Sequence, residues 1–177
     1  MVSSFSSRLR TDPSRREMAS TRVTNIDEIE RLFDSAPFIR ALGMELVRIA
    51  PGRCETALLL TERHLQQDGV VHAGVLATMA DHTSGSAGAS VIKANQYVLT
   101  AEFKINLMRA ARGERLHCIG TVLKPGRRLI IAESEVFDGE PQQARLVAKA
   151  MVTLAVMTKP SEEKSDPGSS PPHMKKE

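Results

Sequence analysis

The chain has 177 residues, of which 41% are hydrophobic and 25% charged, with a net charge of +3. That length supports one domain with a real core and is too short for two. Aromatics at 3% leave no base-stacking surface for nucleic acid, and no apolar run is long enough to span a bilayer.

Residues 1–22 are rich in Ser and Arg and lack the continuous apolar stretch of a secretory signal. Arg and Ser suit a transit peptide, whereas Asp12 and Glu17 oppose one. The segment is expected to be a disordered tail, with translation starting at Met1 or Met18. A second disordered tail is expected over 159–177, where Pro, Gly, Ser and charge combine. The domain then runs over 23–158.

Asn25-Ile26-Asp27-Glu28 resembles a capping box that leads into Ile26, Ile29, Leu32 and Phe33 on one helical face. Pro37 can open a second short helix, which Gly43 would close. Strands follow at about 44–50 and 53–61, split by the turn signal Pro51-Gly52. A polar loop leads to a long helix at about 73–92. The pattern then switches to period two: Tyr97, Leu99, Ala101, Phe103, Ile105 and Leu107 alternate with Val98, Thr100, Glu102, Lys104 and Asn106. That is a half-buried strand, with Thr100 on its outward face. Two more strands, at about 115–124 and 127–137, join through Pro125-Gly126. Asp138-Gly139 marks a reversal into 143–157, where Val and Thr favour strand over the helical alternative. The order predicts an α+β fold in which an antiparallel sheet wraps one central helix. That helix should be apolar nearly all round and small where the sheet closes, as Thr83-Ser84-Gly85-Ser86-Ala87-Gly88 permits.

Cys54 and Cys118 lie far apart, and the histidines at 64, 72, 82, 117 and 173 form no ligand spacing with them. Two structural thiols in a reducing compartment, with no metal and a cytoplasmic location, is the simple reading.

Asp81 is the residue that needs explaining. A charge between Leu76, Met79 and a run of small residues is costly unless paired, hydrogen-bonded or solvated by a pocket. One explanation is a structural ion pair with Arg or Lys; the other is chemistry. The helix start at His72-Ala73-Gly74 offers unpaired amides and a positive dipole end, able to polarise a carbonyl. His72 can equally be a simple cap. Nine residues separate His72 from Asp81, about 180° and 12–14 Å on one helix. A site using both must therefore be assembled from two protomers, or else the two residues do separate jobs. His82 diverges from Asp81 by about 100° and is read as structural.

The stretch from Gln66 to Ser90, with its amide residue, His72-Ala73-Gly74 and Leu76 to Asp81, resembles the hotdog-fold acyl-CoA thioesterases of the phenylacetate-pathway (PaaI-like) and 4-hydroxybenzoyl-CoA types. The likeness extends through the strand ending near Leu107 to Lys124-Pro125-Gly126-Arg127. It implies a hotdog fold and hydrolysis of an acyl-CoA thioester, with coenzyme A as part of the substrate and no separate cofactor. It also implies a homodimer, or a dimer of dimers. By the same resemblance Asp81 is the catalytic carboxylate, as base or nucleophile, and His72 organises the loop. Ala73 replaces the first motif glycine while keeping its carbonyl-binding N–H, beside the small Gly74. Gln66 would position water or the carbonyl, and Thr100 would orient the water; the plain alternatives are a loop glutamine and a surface threonine. Lys124, Arg127 and Arg128 either meet the coenzyme A phosphates or form a solvated hairpin tip. Rival readings are a non-catalytic acyl-CoA-binding module and a hotdog dehydratase, whose acid falls where this chain has Met79.

Overall fold

The computed structural model describes residues 26–139 and 144–160. The expected cap at Asn25 and both expected tails, apart from Lys159 and Pro160, lie outside these residues. Helix α1 (Ile26–Ser35) buries Ile29 and Phe33, while Leu32, expected on the same face, is exposed. Lys159 Nζ reaches Glu28 Oε1 at 2.8 Å and ties α1 to the far end of the chain. Pro37 opens α2 (Pro37–Leu42), and Gly43, at φ 82°, closes it. Strands β1 (Met44–Ala50) and β2 (Arg53–Leu59) follow, then a 3-10 turn (Glu62–His64) and the long helix α3 (Ala73–Ala89). The last four elements are β3 (Gln96–Leu107), β4 (Arg115–Lys124), β5 (Leu129–Asp138) and β6 (Arg145–Thr158). The ambiguous segment after Gly139 is therefore a strand, its Val and Leu residues filling the core from one face.

The six strands form one sheet in the order β1-β2-β4-β5-β6-β3, with every neighbouring pair antiparallel. The sheet curls around α3, whose Val75, Leu76, Met79, Ala80, Thr83, Ser84, Ser86, Ala87 and Gly88 are all buried. The close packing of α3 on β4 depends on Gly120, because a Cβ there would stand 2.7 Å from the Thr83 carbonyl oxygen and 3.1 Å from the Ser84 nitrogen. Both are backbone atoms in a buried helix and cannot give way. The helix stops at Ala89 rather than continuing to 92. Ser90 ends it by donating to the Ala87 carbonyl at 2.6 Å and accepting the Gly52 N–H at 2.7 Å, which pins the helix end to the β1–β2 turn.

Strand β3 departs from the expected alternation. Thr100 pairs with Leu154 and Glu102 with Thr153, so Ala101 is an extra residue that forms a bulge. A one-residue insertion reverses every side chain beyond it. Cross-strand partners share a face, and Ala148, Ala150, Val152 and Leu154 of β6 are buried. Their partners Leu107, Ile105, Phe103 and Thr100, with Val98, therefore face the helix. Tyr97 and Leu99, by contrast, turn to the outer face with Met151 and Met157. Thr100 points inward, not outward as its place in a regular strand predicts.

At the two sheet edges the unpaired strands differ. β1 is seven residues long and kinked by its own irregularity near Val47. β3 is twelve residues long, contains no proline and has exposed Tyr97, Leu99, Phe103 and Leu107. An edge of that length and character is a template for pairing with another chain.

Cys54 and Cys118 are free and buried, and burial pushes both thiols up to about 12. Both should therefore be inert toward a disulfide reagent in the native protein, with two equivalents reacting once the chain is unfolded in guanidinium. Gly120→Ala should lower unfolding free energy by about 2 kcal/mol in urea titration. Gly85→Ala, where an added Cβ meets nothing within 4 Å, should raise it by about 0.5–1 kcal/mol.

Candidate active site

Asp81 lies midway along α3, half-buried. Thr100, turned inward by the bulge, donates its hydroxyl to Asp81 Oδ1 at 2.7 Å. Among the described residues Asp81 has no ion-pair partner, so a structural pairing with Arg or Lys does not explain it. The other buried acid shows what structural pairing looks like. Asp138, 2% exposed, accepts the backbone N–H groups of Arg112 and Gly113 at 3.0 and 2.9 Å and faces Arg145 Nη2 at 3.4 Å. Asp138 is saturated, whereas Asp81 keeps an oxygen without a partner among the described residues.

A cleft of about 360 Å³ opens beside Asp81. Gly85 and Ala89, one and two turns further along the helix, form its helical wall, with Phe33, Val98 and Leu154 opposite. His82 also borders it. The imidazole tilts against Phe33 with ring centroids 4.8 Å apart, and its Nε2 is buried without a partner among the described residues. Burial pushes its pKa below the ordinary histidine range, against the pull of Asp81.

The second constellation gathers at the start of α3. His72 is the N-cap, its Nδ1 accepting the Gly74 N–H at 2.9 Å, and its carbonyl accepts from Val75 at 3.0 Å. A side chain at Gly74 would collide with the His72 ring, since a Cβ there stands 2.9 Å from Nδ1. The Gly74 amide is thus occupied by the cap. The Ala73 amide, the first of the helix, has no acceptor among the described residues, and Ala73 lines a cleft together with Gln66, Leu107, Met108 and Arg109. The Gln66 side chain is half-exposed and reaches Asp68 Oδ2 at 3.3 Å. Lys124, Arg127 and Arg128 are exposed at the β4–β5 hairpin. The register brings that hairpin to the end of the sheet where β3 begins and α3 ends.

Two contributors escaped the sequence reading. His64, 1% exposed, accepts the Thr61 N–H on Nδ1 at 3.0 Å and donates from Nε2 to the Leu42 carbonyl at 2.8 Å. Its own carbonyl accepts the His72 N–H at 2.9 Å, so it holds the loop that delivers Gln66 and the helix start. Arg109 places a guanidinium on the rim of the same cleft, fastened to the Leu146 carbonyl at 2.9 Å. The capping-box pattern at Thr61 was a local signal for His64; nothing in the sequence pointed to Arg109.

Eight residues separate Ala73 from Asp81, about 12 Å along the axis. One small electrophile cannot touch both in a single chain. The structure brings together Asp81 with Thr100, and Ala73 with Gln66, as two separate groups.

The thioesterase superfamily model matches residues 68–145. A thioesterase family protein from Silicibacter pomeroyi superposes with a TM-score of 0.72 at 31% identity, covering 75% of this chain and 97% of that one. The Escherichia coli PaaI protein of the phenylacetic acid degradation operon is 16% identical and shares the fold, with a TM-score of 0.69 over 78% of this chain and 97% of its own. The 1,4-dihydroxy-2-naphthoyl-CoA hydrolase of Listeria monocytogenes is 23% identical over 118 residues, 67% of this chain and 94% of that protein. With a six-stranded antiparallel sheet wrapped around one central helix, the chain belongs to the thioesterase superfamily and carries its hotdog fold.

Proposed function

We propose that this thioester hydrolase acts on an acyl-CoA at a site completed by two copies of the chain. What carries this reading is the pair of incomplete half-sites about 12 Å apart on one helix, each flanking an opposite half of the edge strand β3. Antiparallel pairing of β3 with a second copy sets the Gln96–Thr100 half of one strand beside the far half of the other. The Asp81 cleft of one protomer then adjoins the partner's helix start.

In such a dimer the thioester carbonyl accepts a hydrogen bond from the Ala73 N–H at the positive end of α3, with the Gln66 amide beside it. Asp81 takes a proton from water as the water oxygen adds to the carbonyl carbon. The carbon–sulfur bond then breaks, and the thiolate takes up a proton to leave as coenzyme A beside the free acid. Thr100, donating to one carboxylate oxygen, holds the other in position and keeps its own lone pairs free to accept from the water. Such a charged hydrogen bond contributes about 1.5–3 kcal/mol. Arg109, Lys124, Arg127 and Arg128 supply cations for the phosphates, with the small Gly74 beside the docked group. The Listeria relative's name, a CoA-thioester hydrolase, supports the choice of leaving group. Exposed Leu99, Leu129, Met151 and Met157 on the outer sheet face support stacking of two dimers. Two free thiols fit a reducing cytoplasm.

Mixing two dead variants tests the composite site. Asp81→Asn should lower kcat by about 10²–10⁴-fold. Ala73→Pro removes the amide donor at the first helical position, where proline is tolerated, and should also inactivate. Co-refolded in equal amounts, the two should recover about a quarter of wild-type activity, because half the dimers then contain one intact site. A site within one chain would recover nothing, and full activity of Asp81→Asn would refute the assignment.

A further inference from the structure

The cleft beside Asp81 has a direction. It follows one face of α3 from Asp81 past Gly85 to Ala89, and its opposite wall is Ile29, Phe33, Val98 and Leu154. An added Cβ at Gly85 meets nothing within 4 Å, so the absent side chain there is open cleft. Past Ala89 the lining changes character: Lys93, Gln96 and the Glu28–Lys159 ion pair close the apolar stretch with charge. The apolar run is thus bounded by the carboxylate at one end and by ammonium groups at the other.

We propose that this cleft is an acyl-chain channel, that its substrate is a straight-chain acyl thioester of about eight to twelve carbons, and that Gly85 sets its working depth. The inference rests on Asp81 being the reactive group. Two independent measures of the cleft agree. From Asp81 to Ala89 the helix rises about 12 Å, which an extended chain of carbon–carbon bonds near 1.5 Å covers in about ten carbons. The volume of about 360 Å³, at ~30 Å³ for each water- or methylene-sized group, holds roughly a dozen groups. Shorter chains leave apolar wall uncovered, and longer ones push methylenes against Lys93 and Lys159. Phe33 and Ile29 come from α1, so the N-terminal helix supplies half of the specificity wall.

Release of coenzyme A from butyryl, octanoyl, decanoyl, dodecanoyl, palmitoyl and phenylacetyl thioesters tests this on the full-length protein. The wild type should show kcat/KM highest between octanoyl and dodecanoyl, at least about tenfold above butyryl and palmitoyl. Gly85→Leu should lower the decanoyl-to-butyryl ratio at least about tenfold, and Ala89→Leu, one turn further out, should lower it less. If thioesters are cleaved but phenylacetyl is preferred, or the ratio is unmoved in both variants, the channel is refuted and the hydrolase reading stands. If no thioester is cleaved, calorimetric titration with decanoic acid decides. Binding that Gly85→Leu abolishes upholds the channel while the hydrolase reading falls; no binding, or binding indifferent to the variant, overturns both.

Discussion

One extra residue in β3 governs the chemistry available to this fold. Without the bulge at Ala101, a strand that turns Phe103, Ile105 and Leu107 toward the helix would carry Thr100 on its outer face. With it, Thr100 and Leu107 both face the helix, and the Thr100 hydroxyl reaches Asp81 Oδ1 at 2.7 Å. Bulges re-aim side chains at the cost of a ladder hydrogen bond, and here the re-aimed group is the only hydroxyl bonded to the carboxylate among the described residues. That contact occupies one carboxylate oxygen of Asp81 and, among the described residues, leaves the other without a partner.

Helix α3 serves three purposes along its length. Its first turn holds Ala73 with a free amide and His72 as the cap. Its middle, Val75 to Ala80, is the ordinary core of a wrapped sheet, where Met79 and Ala80 have no exposed surface. Its last two turns are small for two opposite reasons. On the sheet side, Thr83 and Ser84 sit against Gly120 so closely that no side chain fits between them. On the cleft side, Gly85 and Ala89 leave space unfilled. The same residue class thus provides tight packing on one face and a cavity on the other. The Ser90 bond to the β1–β2 turn holds both faces in place.

Asp138 and Asp81 contrast a carboxylate enclosed by several hydrogen-bond partners with one that has a single hydroxyl partner among the described residues. Asp138 spends its oxygens on two backbone amides and an arginine, which stabilises the β5 end but leaves nothing for a ligand. Asp81 receives one hydroxyl, lies half-buried at the mouth of an apolar cleft and flanks the longest unpaired edge of the sheet. The helix start at Ala73 lies about two turns away on the same rigid rod, so within one chain the two groups of residues stay apart.

Local signals decided much of this protein. Hydrophobic period, the Pro-Gly turns and Gly43 determined the order of elements and nearly all their bounds, because each depends on neighbours within a few residues. Asp81 stood out for the same reason, as a charge inside an apolar helix, and its separation from His72 followed from helix geometry alone. Three features were left to the tertiary structure. The bulge at Ala101 is defined by the register with β6, fifty residues away, and no local pattern reveals an inserted residue in an alternating strand. The stop at Ser90 depends on the hydrogen bond that its hydroxyl accepts from Gly52 across the fold, where propensity alone would let the helix continue. The rims of both clefts, Arg109 beside Ala73 and Phe33 beside Asp81, join residues distant in the chain, and only packing of the sheet around the helix brings them into contact.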